Sequence, residues 1–556
     1  MIERLPQDFI PTQYDLYLHI IPNITPIEAR VTITFKKNKN SNLLILHMES
    51  NLTIKTIIQN NQPLHFYYQC PKLTIVPLTN PATNFTITIE YTIQPKINDK
   101  EGLYIHDGNY ITHLEPNYAR QLLPCFDEPS IRSIFNVTIK IPSNLTGISN
   151  MPTEKVTKEN NSTEQTIKFQ PTPPMCTYLL CICVGHFSFM RGITAANHPV
   201  NFYFLRGQEE GILELLQVAT FSVDWMETYF KVPYELPVLQ FLFYEGCFRG
   251  MENYGLIILE KSANSTFYMD SKVIMHETVH QWFGDLVEIK WWDSIWLNEG
   301  FAEFIEILLL DDYFPEFDAV EYFTIYDGFF CFKYFKENRR LHPSLYELTF
   351  DNVLESFVYA KGSFVIKMFY DIIGRDNFFN CCSYYLNSFK NKNADISDFI
   401  NSVNLALKKD FSPFFNTWLN YPRFPVLTVN EIAHNSLNGK KIGVTISQTS
   451  DFNVYYQLKI PIVYGIDGKI ERCEVLLTDF MKELFFEFDW IIVNDNFASL
   501  CYVIYSKVLL RSLIVAKNGG NLNKINRNFI ACSISSRAIP QLVDRELFEI
   551  ARQVCN

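Results

Sequence analysis

No uninterrupted apolar run in this chain is long enough to cross a bilayer, and its amino terminus, Met1-Ile2-Glu3-Arg4-Leu5-Pro6, has no apolar core of the kind that directs export. The expected location is the cytoplasm, with no transmembrane segment. Cysteine usage points the same way: the 13 cysteines include Cys181, Cys183, Cys381 and Cys382 but no CxxC pair, and an odd count suits reduced thiols better than a disulfide framework. The Asn-x-Ser/Thr sequons at Asn84, Asn136 and Asn264 would matter only in a secretory compartment and are read as products of an asparagine-rich sequence. A basic stripe is also missing, and the formal net charge of -12 argues against nucleic acid or an anionic membrane as the main partner. There is no internal repeat and no low-complexity tract long enough to act as a disordered arm.

What is present is a folded composition, 47% hydrophobic and 19% charged, spread over 556 residues, too many for a single core, so three or four domains are expected. Residues 1–190 alternate with period two in many places. Tyr14, Leu16, Leu18 and Ile20 oppose Asp15, Tyr17 and His19, and the pattern recurs at Phe85, Ile87, Ile89 and Tyr91 and at Phe135, Val137, Ile139 and Ile141, which predicts an N-terminal β domain. From about Leu213 the pattern becomes helical and runs on to Lys361-Gly362-Ser363-Phe364-Val365-Ile366, so residues 191–424 are expected to form an α-rich domain. Alternation returns after Pro425, at Ile442, Val444 and Ile446 and at Leu458, Ile460, Ile462 and Tyr464, predicting a small β-sandwich over 425–508. Residues 509–556 read as a short helical segment, too small for an independent domain. The fold class is multidomain α+β.

The chemistry is concentrated in His276-Glu277-Thr278-Val279-His280, followed by Glu299 in Trp296-Leu297-Asn298-Glu299-Gly300. Residues four apart share a helix face, so His276 and His280 can turn two imidazoles toward one metal ion with Glu277 beside it. Two histidines and one carboxylate leave a fourth tetrahedral position for water, which zinc acidifies toward neutral pH. A helix capped by Asp270 or Ser271 and anchored by Val273, Val279, Trp282 and Phe283 is expected to carry the histidines. A second helix is expected to begin near Asn298, placing Glu299, Glu303 and Glu306 on one face among Phe301, Ala302, Phe304, Ile305, Ile307 and Leu308. Carboxylates within an apolar helix are costly to bury without a cation to meet them. Glu299 is read as the third ligand of one zinc per chain, Glu306 as a carboxylate that orients a ligating histidine, and Glu303 as equally consistent with a solvated neighbour.

Other segments fall into a known order. Pro11-Thr12-Gln13-Tyr14-Asp15-Leu16, Glu115-Pro116-Asn117-Tyr118-Ala119-Arg120, Pro124-Cys125-Phe126-Asp127-Glu128-Pro129, Gly250-Met251-Glu252-Asn253, the zinc motif and Tyr359-Ala360-Lys361-Gly362 together resemble the zinc aminopeptidases of the aminopeptidase N and leukotriene hydrolase type. The resemblance covers most of the chain. It implies a thermolysin-like catalytic domain and a zinc-dependent aminopeptidase acting on peptides with a free N-terminus. It also implies Glu277 as general base, Tyr359 as donor to the oxyanion, and Glu252 with Glu115 as the carboxylates that hold the substrate amine, alongside Gly250, Met251, Asn253 and His113 in the binding cleft. From composition alone Tyr359 reads as a core aromatic and Glu115 as a surface carboxylate.

The chain departs from that pattern in three places. The family's exopeptidase motif begins Gly-Ala or Gly-Gly, whereas Arg249 stands before Gly250 here, with a side chain that could narrow the cleft or a backbone that fails to reach a glycine conformation. His113 replaces a usual Gln, putting a titratable group, adverse if protonated, beside the amine site. The helical segment that follows the β-sandwich is short for the family, so either the site is unusually open or the sequence is incomplete; an open site gives an expectation of slow turnover, little discrimination by peptide length and self-association through residues after about Val503. Arg249 and His113 keep open a second reading, a catalytically weak peptide-binding relative. Lipid epoxide hydrolysis is a third.

Overall fold

The alternating residues Tyr14, Leu16 and Leu18 become the buried face of the strand Phe9–His19, while the residues between them are only partly buried. Leu16 lies opposite Val31 of the antiparallel strand Ile27–Lys37 and opposite Val137 of the parallel strand Ile134–Pro142, so three inward rows stack into one core. These strands belong to an eight-stranded sheet, with a five-stranded and a three-stranded sheet completing this part of the chain. The computed structural model describes residues 2–76, 78, 83–97, 99–160, 162–333, 339–432, 441–535 and 545–555. The chain divides into two compact units, Met1–Asn298 with Leu348–Val353 and Ser383–Ser397, and Glu299–Glu347 with Leu354–Cys382 and Asp398–Asn556.

The helical stretch expected from about Leu213 is interrupted. Helix α1 (Ile212–Phe230) does begin there, but three strands intervene before the zinc motif: Leu239–Tyr244, Gly250–Met251 and Leu256–Glu260. They join a second five-stranded sheet with Phe187–Ile193, which crosses position 190, and Pro199–Leu205. Every residue of Leu239–Tyr244 is buried, as a parallel central strand covered on both faces must be, so it shows no alternation to read. The two-residue strand Gly250–Met251 pairs antiparallel with Leu256–Glu260 and stands at the end of the strand order.

Helix α2 (Phe267–His280) starts earlier than expected. Its cap is Thr266, whose Oγ1 accepts from the Met269 amide at 3.2 Å, and Asp270 falls inside the first turn, where its charge suits the helix dipole. Helix α3 (Trp296–Tyr313) likewise starts two residues before Asn298.

In the second unit the helix Ser356–Ile373 packs Phe369 against Phe411 and Phe415 at 5.3 and 4.9 Å between ring centres. The strands after Pro425 form a four-stranded and a three-stranded sheet, with Val444, Ile446, Leu458, Ile460 and Ile462 buried and Tyr464 partly so; the side chain of Ile442 lies outside the described residues. Three helices follow, Lys507–Asn518, Lys524–Ser535 and Arg545–Cys555. The fold is multidomain α+β: N-terminal β sheets, a helical domain carrying the zinc motif, then β sheets and helices. Among the described residues no helix is long and apolar enough to cross a membrane.

Candidate active site

Helix α2 ends at His280, and the chain then turns so that His280 Nδ1 lies 3.0 Å from the Phe283 carbonyl oxygen. A carbonyl can only accept, so that nitrogen carries the proton and Nε2 presents its lone pair. His276 Nε2 stands 3.1 Å from His280 Nε2. Two nitrogens on one tetrahedral zinc are roughly 3.3 Å apart at ordinary Zn–N lengths. Ligand atoms of His276, His280 and Glu299 all lie within 4.8 Å of one another. Glu299 is in the first turn of α3. The donor set, its spacing and the fixed tautomer of His280 fit zinc, and the triad read from the sequence is brought together.

Glu277 is buried and approaches the strand Gly250–Met251 so closely that a Cβ at Gly250 would lie 2.0 Å from its Oε1. The glycine is needed for close approach and not for backbone conformation: neither Arg249 nor Gly250 has a positive φ, which removes the concern that arginine could not adopt the local backbone. Ligand atoms of Glu252, Glu277 and His280 lie within 4.8 Å of one another, and so do those of Glu252 and Glu115. Both Glu115 and Glu252 are buried, at 6% and 4% exposure, so the surface reading of Glu115 is set aside. Two buried carboxylates at that separation stay charged together only with a cation to share. Met251 is buried, and Asn253 is fully buried with neither amide atom hydrogen-bonded to another described residue.

His113 ends the strand Asn109–His113 and stacks on Phe248 at 4.0 Å between ring centres. Burial lowers its pKa to about 4, so the adverse charge expected beside the amine site is absent at neutral pH.

Tyr359 is partly buried in the helix Ser356–Ile373 and lines a cavity with Glu303 and Asp327. That helix meets α3 backbone to backbone: a Cβ at Gly300 would lie 2.9 Å from the Gly362 carbonyl carbon. The crossing puts Tyr359, three residues before Gly362, on the helix that touches the residue next to Glu299. Lys361 is buried on the same helix with its amine 3.0 Å from the Tyr421 carbonyl, and burial lowers its pKa to about 7. Glu303 is partly exposed and Glu306 buried on α3, with carboxylate oxygens within 4.8 Å of each other.

Three polar residues not singled out from the sequence organise this region. Gln281 donates to the Glu252 carbonyl at 2.9 Å and to Asp285 Oδ2 at 2.8 Å, and accepts from the Gly255 amide at 2.9 Å. It therefore ties the histidine helix to the segment carrying Glu252. Asp285 is fully buried, and burial followed by the nearby carboxylates of Glu252 and Glu288 raises its pKa well above the usual range. Glu288 accepts from Cys176 Sγ, Tyr178 Oη and the Ile289 amide at 2.9, 2.8 and 2.7 Å, and burial raises it to about 7. The signal was available: Asp285 and Glu288 interrupt the apolar run Trp282 to Trp292 and Gln281 borders it, the same pattern that marked Glu299 and Glu306.

Comparison with known proteins agrees with this geometry. The Peptidase M1 N-terminal domain matches residues 10–179 and the Peptidase family M1 domain residues 215–418, together well over half of the chain. Probable aminopeptidase 1 of Sulfurisphaera tokodaii is 30% identical over 514 residues, which is 87% of this chain and 63% of the relative. Leucyl aminopeptidase of Saccharolobus solfataricus is 29% identical over 417 residues, 70% and 51% respectively. Glutamyl aminopeptidase of Rattus norvegicus is 28% identical over 466 residues, 77% and 49%. The chain thus spans from about half to just under two thirds of the length of these relatives. With both domain matches in order around the His276, His280 and Glu299 cluster, the chain belongs to the Peptidase M1 family.

Proposed function

We propose that this chain is a zinc-dependent aminopeptidase that hydrolyses the first peptide bond of peptides with a free N-terminus. The observation that carries the proposal is the position of Glu252, whose carboxylate lies within 4.8 Å both of Glu115 and of Glu277 and His280. An ammonium group held by the two carboxylates leaves only the first peptide bond within reach of Glu277. The 13 free thiols, most of them buried, suit a reducing cytoplasm as the place of action.

His276, His280 and Glu299 would hold the zinc, which when bound would supply a Lewis acid to polarise the carbonyl and acidify water. Glu277 takes a proton from the attacking water as the new C–O bond forms, then delivers it to the departing nitrogen as C–N breaks. The Tyr359 hydroxyl donates to the carbonyl oxygen as negative charge builds there. Gly250, Met251 and Asn253 form the wall along which the peptide lies, at the end of the strand order where backbone groups remain for a substrate to pair with. We assign Glu306 to orienting a ligating histidine.

Protein purified without added metal is expected to contain one zinc per chain by elemental analysis, and chelation should abolish release of amino acids from aminoacyl amides. Metal-independent release would overturn the proposal. N-acetylated peptides should be poor substrates, and Glu252→Ala or Glu115→Ala should raise KM for free-amine substrates on the order of tenfold to a hundredfold, the range for a lost hydrogen bond to a charged group. Efficient cleavage of N-acetylated peptides would point to an endopeptidase.

Gln281→Ala strands the buried Glu252 carbonyl and Gly255 amide at about 1–3 kcal/mol each. The expected outcome is a raised KM for free-amine substrates with zinc content unchanged, read from Michaelis curves and metal analysis. An unchanged KM would show that Gln281 does not set the position of Glu252.

A further inference from the structure

Two of the three departures from the family pattern, His113 and Arg249, come to the same loop. Phe248, stacked on His113, immediately precedes Arg249, and Lys100 fixes the same loop by donating to the Cys247 carbonyl. Arg249 then runs into the strand Gly250–Met251, its carbonyl accepting from the Glu260 amide at 3.1 Å. Its guanidinium is exposed and makes no hydrogen bond or ion pair with another described residue. It lines a cavity of about 260 Å³ with Met269, Asp270 and Val273, the residues of α2 one and two turns before Glu277. The other charges there have partners: Glu260 lies 3.5 Å from Lys100, and Asp270 accepts from Ser265 and also feels the Arg249 charge.

Direction follows from the site proposed above, on which this inference rests. Glu252 marks the amine end, Gly250 and Glu277 mark the cleaved bond, and Arg249 is the next residue away from Glu252. The cavity therefore lies on the leaving-group side. Arg249 and Glu252 are three residues apart in sequence, at most about 10 Å along the chain, and a tripeptide extended from amine to carboxylate spans a similar distance.

We propose that Arg249, presented by the His113–Phe248 stack, receives a carboxylate on the second residue beyond the cleaved bond, so that the site favours tripeptide acids or peptides acidic at that position. The carboxylate has two sources, a chain end or an acidic side chain. Asp270 shares the cavity and the guanidinium is exposed, so the preference is modest, about threefold to fivefold in affinity.

The test is binding, which is separable from turnover. Zinc-loaded Glu277→Gln protein is titrated calorimetrically with Ala-Ala-Ala, its C-terminal amide, and Ala-Ala-Glu amide. The acid and the Glu peptide should bind about threefold to fivefold more tightly than Ala-Ala-Ala amide. Arg249→Ala in the same background should erase both differences, and Arg249→Lys should retain part of them. Equal affinities in the Arg249 protein, or differences that survive Arg249→Ala, overturn the inference. If the differences appear and vanish as stated while the parent protein releases no amino acid from any peptide, the carboxylate site stands and the hydrolytic reading falls. Absence of binding by all three peptides overturns both.

Discussion

Replacing Glu277 by glutamine is expected to lower kcat on the order of a hundredfold or more while zinc remains bound. The candidate zinc ligands are His276, His280 and Glu299, so on that assignment the substitution removes no ligand. It keeps the shape of the side chain and its contact with the strand at Gly250, and it removes only the capacity to take up a proton. Loss of the proposed base should appear in kcat, with KM for aminoacyl amides little changed, because the proposed amine anchors Glu115 and Glu252 are left in place. Stopped-assay kinetics together with zinc analysis separate the outcomes. Near-normal kcat would assign the proton transfer to another group, and lost zinc would make Glu277 part of the metal site.

Tyr359→Phe is expected to lower kcat by about a hundredfold to a thousandfold, the usual consequence of deleting one donor to a developing oxyanion. The ring remains, so the packing of the helix Ser356–Ile373 and its crossing with α3 at Gly300 and Gly362 should survive. A donor used mainly in the transition state affects kcat and kcat/KM together. If kcat is unchanged in protein that still binds zinc, Tyr359 is a cleft aromatic and no more. Pairing the two variants adds a check: residues acting on one step give a double mutant far less impaired than the product of the single effects.

How well the sequence can be read depends on the range of the interaction. His276, Glu277 and His280 are legible because helical spacing alone sets their relation, and period two reveals Tyr14, Leu16 and Leu18 because one face of their sheet is buried. The strand Leu239–Tyr244 is buried on both faces and carries no alternation, so its place between α1 and α2 is invisible to a search for periods. The start of α2 is misplaced because Thr266, Asp270 and Ser271 are all competent caps and only the Met269 amide chooses among them. Gln281 and Asp285 acquire their roles through Glu252, Gly255 and Glu288, some of them far away in sequence, and His113 finds Phe248 only in the fold. The resemblance to relatives named Glu252 and Glu115. Their burial as a close pair is a fact of the structure alone.

Gly250 also constrains how this motif could have evolved. Related motifs carry alanine or glycine at this position, but here an added methyl would lie 2.0 Å from Glu277 Oε1 and 2.9 Å from Val273 Cγ1. Alanine fits only after the Glu277 carboxylate and the Val273 methyl have shifted. The identity of one residue and the seating of the other are therefore epistatic. Any mutational path between the two motifs has to move the Glu277 carboxylate as well.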